Sequence, residues 1–306
     1  MGLHLAFQSR LDPVPRMTLE QLRIFIAVAE REHVTQAAAF LNLTQSATSA
    51  AIAALEERHA VQLFDRVGRR IVLTDAGRLF LDEARAVLAR AEQATRLLGD
   101  LAGMKRGRLR LAASQTIANY WLPPRMQRFR REHPGIVLEL AVGNTSDVAQ
   151  MVHAATVDLG IVEGEIDDTA LAIQSLSGDR LALVVAPGHD WADRPPSGPD
   201  DLKAGPWVMR EAGSGTRAVC ETALARRGLH IEDVEVAFEL PSNEAVRVAV
   251  ESGAGAAILS TLVVAPAIDA GRLVPVAFDL PPRRFHMLRH KERHLSLAEQ
   301  RFLELA

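Results

Sequence analysis

From Thr44 to Ser49, the side chains of Thr44, Gln45, Ser46, Thr48 and Ser49 are all short hydrogen-bonding groups, and Leu63–Leu73 carries Arg66, Arg69 and Arg70 around Gly68. Hydroxyls and carboxamides of this reach can read base edges in a major groove, while arginines clamp phosphates and set register without reading sequence. A second set of polar side chains follows at Ser114-Gln115-Thr116, Asn144-Thr145-Ser146, Gly213-Ser214-Gly215-Thr216-Arg217 and Pro241-Ser242-Asn243. Each stands between an apolar run and a helical pattern. Hydroxyl and amide groups at a strand-to-helix junction lie beside the unpaired N–H groups at the positive end of a helix dipole, which favours an anion. The same residue types are standard helix caps, and capping is the other reading of each junction.

The elements that position the first set are two helices and a hairpin. Gln36–Leu41 is a short helix joined by Asn42-Leu43 to a second one, for which Thr44 is the N-cap and Ala47, Ala51, Ile52 and Leu55 are the packed side. Two helices joined this tightly cross steeply, as in a helix-turn-helix, whose second helix enters the major groove by its first turn. An alanine-rich helical hairpin in some other domain is the alternative. Leu63–Leu73 alternates apolar and charged residues about Gly68 and predicts a two-stranded wing with a basic tip. Helix pair and wing together point to nucleic acid.

A formal charge of −3 over 306 residues excludes a protein coated in basic patches, so DNA affinity has to come from local arginines and from dimerisation. The chain is long enough for two or three domains. Its single cysteine, Cys220, excludes an internal disulfide or a multi-cysteine metal cluster and reads as an inert, partly buried thiol. No apolar run reaches membrane-spanning length, and residues 1–16, broken by His4, Arg10, Asp12 and two prolines, lack a secretory core. They read as a disordered leader ahead of a natural start at Met17, and the expected location is the cytoplasm.

In chain order, Thr18 caps a first helix to about Glu32 that backs the helix pair, giving a winged domain over 17–74. Thr74 caps a long helix to about Met104, with Leu79, Leu81, Ala84, Val87, Leu88, Ala91, Ala94, Leu97 and Leu98 running along it as a coiled-coil seam would. A helix of this length, over 75–105, is expected to pair with a second copy. Met104–Arg108 is a basic hinge. Beyond it short strands and helices alternate through 106–306, predicting parallel sheets with crossover helices. We expect a first lobe over about 107–178 and 280–306 and a second over about 179–279, with Val274–Phe278 returning the chain to the first and a cleft between them. Glu163, ending a strand at the cleft, is a hinge or ligand-donor carboxylate, with a solvated loop position as the alternative. Trp121 is expected to pack at the base of the first lobe. His286, His290 and His294 sit in a strand-like stretch and do not form one helical metal face.

Leu22–Ala29, Val34-Thr35-Gln36-Ala37-Ala38, Leu43–Ala47, Leu63-Phe64-Asp65-Arg66 and Leu73–Gly77 resemble, in order and spacing, the LysR-type transcriptional regulators, and the resemblance runs from about Met17 to the end. It implies an α/β chain with an α-rich winged helix-turn-helix, a linker helix that dimerises, and a two-lobed effector domain like a periplasmic binding protein. It adds Thr35 to the DNA-facing residues. It also implies a two-fold operator in double-stranded DNA, a homotetramer built from dimers, and RNA polymerase as a further partner. Two departures stand out: Ser46 replaces a common Pro, and Ala50 replaces an Arg, which removes a DNA contact and puts the usual half-site in doubt.

Arg210–Arg217 resembles the effector motif of a subgroup that includes carbon-fixation and sulfite- or sulfur-responsive regulators. Those respond to phosphorylated metabolites or small oxyanions, so the implied effector is anionic, bound by Ser114, Gln115, Thr116, Asn144, Thr145, Glu163, Gly213, Ser214, Gly215, Thr216, Arg217, Ser242 and Asn243. The cleft positions hold no paired carboxylates, Ser/His/Asp set or metal cluster, which argues against an enzyme. A transporter's solute-binding protein, the other two-lobed alternative, is opposed by the winged domain.

Overall fold

A computed structural model describes residues 17–67, 70–101, 106–164 and 166–306. The expected leader, the wing tip at Gly68-Arg69 and the Met104-Lys105 part of the hinge lie outside these residues. The chain divides into two compact units at Glu92–Gln93.

The first unit follows from local signals. α1 (Leu19–Arg31) starts at a capping box, in which the Thr18 hydroxyl accepts from the Gln21 N–H and the Gln21 side chain accepts from the Thr18 N–H. α2 (Val34–Phe40) and α3 (Gln45–His59) are separated by a turn in which Asn42 takes φ +55°, a left-handed conformation that Asn tolerates better than most residues. β1 (Phe64–Val67) and β2 (Arg70–Leu73) form the antiparallel wing. The Glu56 carboxylate pins the wing's first strand by accepting from the Leu63 and Phe64 N–H groups at 2.7 and 3.1 Å. Phe25 centres the core, its ring 5.3 Å from Phe64 and 4.9 Å from Phe80.

One expectation about this unit is corrected. The buried stripe of α3 is Thr48, Ile52 and Leu55, and Ala47 is exposed. The Thr48 hydroxyl donates back to the Thr44 carbonyl at 3.1 Å, which satisfies it and leaves its methyl to pack, so a threonine takes the place that apolarity alone assigns to alanine.

α4 (Asp75–Leu101) is 27 residues long. The expected single seam splits in two: Leu81, Ala84 and Leu88 pack on the core of the first unit, whereas Leu79 and Leu98 are 75% and 69% exposed. The Leu97 side chain lies outside the described set. Gly77 sits in the first turns of α4, where alanine normally stabilises a helix by up to about 1 kcal/mol. Here a Cβ would fall 2.1 Å from the Leu63 carbonyl oxygen. We therefore expect Gly77→Ala to lower the urea midpoint of the N-terminal unit, and a raised midpoint would show that the wing does not press on this helix.

In the second unit, β3 (Gly107–Ser114) leads through a π-helical turn at Ile117–Trp121 into α5 (Leu122–Glu132), β4 (Ile136–Gly143), α6 (Thr145–His153), β5 (Leu159–Glu163) and β6 (Leu171–Asp179). The chain then crosses to β7 (Leu181–Val185), α7 (Asp190–Asp193), α8 (Pro199–Ala204), β8 (Trp207–Arg210), α9 (Gly215–Ala225), β9 (Val236–Leu240), α10 (Asn243–Glu251), β10 (Ala257–Ser260), α11 (Thr261–Asp269) and β11 (Val274–Val276). It returns as β12 (Arg283–His290) and ends with α12 (Leu297–Leu303).

The first lobe is a five-stranded sheet in the order β4-β3-β5-β12-β6. Its first three strands are parallel, and β12 runs antiparallel to both neighbours, so the sheet is mixed rather than parallel. The second lobe carries β10-β7-β11 and the parallel pair β8-β9, linked by a bridge between Trp207 and Ala256. Val274–Val276 pairs with β7 in the second lobe, so the returning strand is β12 and not the expected Val274–Phe278. Trp121 lies in the first lobe's core, edge-on to Phe285 at 5.8 Å. Among the described residues no group of three side chains is placed to hold a metal, and no helix is long and apolar enough to cross a membrane.

Candidate functional site

The start of α3 is a polar, exposed surface. The Thr44 hydroxyl accepts from the Ala47 N–H and lies 3.1 Å from the Ser46 hydroxyl, and the Gln45 amide donates to Ser49 at 2.9 Å, which orients that carboxamide along the helix. Thr35, Gln45 and Ser46 are exposed, as are Arg66 and Arg70 on the wing. Thr48 does not belong to this surface, because it is fully buried. Arg69 lies outside the described residues.

The four polar junctions of the second unit meet at one cleft. From the first lobe, the Gln115 amide donates to the Pro241 carbonyl at 2.7 Å and its oxygen accepts from the Asn243 N–H at 3.0 Å. The Asn243 amide donates to the Thr116 hydroxyl at 3.0 Å. On the other flank the Asn144 amide reaches the Ala212 carbonyl at 3.4 Å and the Ser146 N–H the Gly213 carbonyl at 3.3 Å. The capping reading holds as well: Asn144, Ser214 and Ser242 each accept from an N–H in the first turn of their own helices.

Much of the expected site is buried and already paired. Ser114, Thr116, Thr145, Glu163, Ser214, Thr216 and Asn243 are all buried. Arg217 is not an open fork for an anion: its Nε donates to Glu221 at 2.7 Å and its Nη1 to Glu239. The bond to Glu221 and, against burial, the Glu239 carboxylate raise its pKa and hold it charged. What stays open is a cavity of about 250 Å³ lined by Thr145, Ser146, Gly164, Gly213, Ser214 and Arg217, among others.

Of the residues that organise the floor, sequence reasoning passed over Arg283 and Asp179 and gave Arg210 no role of its own. Arg283, 5% exposed, donates to Asp179 at 2.7 Å and to the Thr216 hydroxyl at 3.0 Å, with the Glu163 carboxylate 3.6 Å away. Glu163 also accepts from the Ser114 hydroxyl, and its carbonyl accepts from Thr145 at 2.7 Å. Burial pushes the Glu163 carboxyl above the usual carboxylate range, against the pull of Arg283. Arg210, also buried, holds Glu211 through two bonds and donates to the Asn243 side chain at 2.6 Å. Against its own burial, Glu211 is kept below the ordinary range by Arg210. An Arg in the strand that returns between lobes, after Pro281-Pro282, was the available signal for Arg283. Cys220 is buried, its thiol pushed up to about 12 by burial, which makes it inert as a thiolate.

Comparison with known proteins identifies both parts of the chain. The family described as "Bacterial regulatory helix-turn-helix protein, lysR family" matches residues 19–78, and "LysR substrate binding domain" matches residues 102–306. The chain is 39% identical over 290 residues to the uncharacterized HTH-type transcriptional regulator YeiE of Escherichia coli (strain K12), covering 94% of this chain and 96% of that protein. It is 32% identical to the RuBisCO operon transcriptional regulator of Allochromatium vinosum, covering 94% and 95%. Among solved structures, full-length CbnR complexed with its target DNA superposes with a TM-score of 0.66 at 23% identity, covering 94% and 98%, a likeness of fold. The regulatory domain of Synechocystis PCC6803 CcmR, in complex with 2-PG, superposes with a TM-score of 0.59 at 28% identity over 65% of this chain and 95% of that one. The chain therefore belongs to the LysR family and is a DNA-binding transcriptional regulator with an effector-binding domain.

Proposed function

We propose that the effector is a small anion, either a phosphorylated metabolite or an inorganic oxyanion, held in the cavity where the N-termini of α6 and α9 face each other. The observation that carries the reading is this pair of helix starts around about 250 Å³ of open space. Helix starts supply N–H groups without helical partners and the positive end of a dipole. The volume falls below the range of about 300–1,000 Å³ usual for drug-sized ligands. The RuBisCO-operon relative and the 2-PG complex of CcmR support the chemical class.

The protein acts in the cytoplasm as a dimer paired through the exposed side of α4, and dimers join into tetramers on a two-fold operator. Effector binding favours one arrangement of the two lobes, which changes subunit packing and the spacing of the winged units on bent DNA.

The test is thermal unfolding with sulfite, sulfate, phosphate and sugar phosphates at matched ionic strength. Ser146 is exposed and occupies the second position of α6, so Ser146→Asp adds an acid where helices favour one while placing a negative charge in the cavity. An anion at a hundredfold over its dissociation constant should stabilise the wild type by about 2.7 kcal/mol and leave Ser146→Asp unmoved. Equal stabilisation of both, or of neither, would remove the anion from this cavity.

A further inference from the structure

Gln115, on the first lobe, bridges to the start of α10 on the second. Its side-chain oxygen accepts from the N–H of Asn243, the first residue of that helix, while its amide donates to the Pro241 carbonyl one step before the Ser242 cap. A carboxamide can satisfy both ends of such a junction at once, as donor and as acceptor. The contacts beside it run the same way across the cleft. Asn243 donates to Thr116, and the Asn119 and Tyr120 side chains donate to Glu244 at 3.3 and 3.2 Å. At the opposite flank, the crossing bonds at Asn144 and Ser146 measure 3.4 and 3.3 Å, near the limit of useful hydrogen bonding.

We propose that Gln115 is a built-in latch across the cleft that holds the two lobes shut in the effector-free protein. By holding the lobes together it keeps the starts of α6 and α9 facing each other across the cavity, a consequence that rests on that cavity being the sensing site, as proposed above. The latch sits on the segment from Ser114 through the π-helical turn at Ile117–Trp121, an irregularity often found at functional sites. Gln115 thus couples the cleft directly to the core of the first lobe, where Ile117 and Trp121 are buried.

The experiment is amide hydrogen exchange, residue by residue, on the effector-free full chain and on Gln115→Ala. The informative probe is the Ser146 N–H, whose acceptor is the Gly213 carbonyl of the other lobe and which lies on the flank away from Gln115. If Gln115 holds the lobes together, Ser146 should exchange roughly tenfold faster in the variant, the loss of two ordinary hydrogen bonds from the closure equilibrium. The strand amides of Ile161 and Leu183, one in the core of each lobe, should be unchanged. An unchanged Ser146, or a uniform acceleration that includes Ile161 and Leu183, overturns the proposal. Titration with inorganic phosphate separates the two readings. Weaker phosphate binding by Gln115→Ala supports both, whereas faster Ser146 exchange with no phosphate binding in either protein supports the latch and removes the anion.

Discussion

Replacing Arg283 by methionine is expected to destabilise the C-terminal unit by about 3–5 kcal/mol at neutral pH, because two buried carboxylates lose their shared cation. Asp179 and Glu163 are 4% and 2% exposed at the side chain, and neither can turn to water without opening the cleft. The loss should depend on pH. In the wild type, burial raises the Glu163 pKa and Arg283 opposes that rise. A carboxyl whose folded pKa lies above its unfolded one contributes stability that is fully present below the unfolded value and is lost as pH climbs through the folded value. Removing Arg283 removes the opposition, so Glu163 should rise further. Urea unfolding of Arg283→Met between about pH 5 and about pH 8 should therefore show the smallest deficit in acid and the largest near neutrality. A deficit that is large but flat with pH would mean that the arginine acts through packing on Thr216 and Phe285 and not as a counter-ion.

The parts of this protein that are legible in its sequence are those whose causes are local. Thr18 and Thr44 bind N–H groups three residues away, and Asn144, Ser214 and Ser242 do the same in the effector unit. Caps and apolar periodicity lie within one or two turns of chain, so winged domain, linker helix and the four polar junctions can be placed from residue order alone. Pairing at the cleft is not local. Gln115 and Pro241 are 126 positions apart, Arg283 and Asp179 are 104 apart, and the Glu239 that takes up Arg217 is 22 residues further on. An arginine between glycines and hydroxyls reads as an anion receptor until the carboxylates that neutralise it are brought alongside. The same limit explains β12. Val274–Phe278 and Arg283–His290 are both apolar enough to be strands, and only the register with β7 or with β5 and β6 decides which lobe each joins.

Gly215→Ala is expected to hold the cleft open. Gly215 begins α9, and a Cβ there would lie 1.9 Å from the Glu163 carbonyl oxygen and 2.9 Å from the Thr145 hydroxyl that donates to it. Neither neighbour can yield cheaply: the carbonyl is backbone at the end of β5, and Thr145 is buried at the first position of α6. Nothing about its own helix requires a glycine, since alanine is the better helix former. The requirement is the approach of one lobe's helix to the other lobe's strand end. An added methyl must push α9 back by more than an ångström. Overpacking of this kind costs about 1–3 kcal/mol, and the lobes can relieve it by separating. Separation also parts the two helix starts that flank the cavity. The variant should therefore keep both lobe cores folded and lose about 1–3 kcal/mol in urea unfolding. It should also bind whichever anion stabilises the wild type at least about tenfold more weakly, the cost of about 1.4 kcal/mol of lost preorganisation. Anion binding at wild-type strength in a destabilised Gly215→Ala would show that the ligand does not need both helix starts, and would place it on one lobe alone.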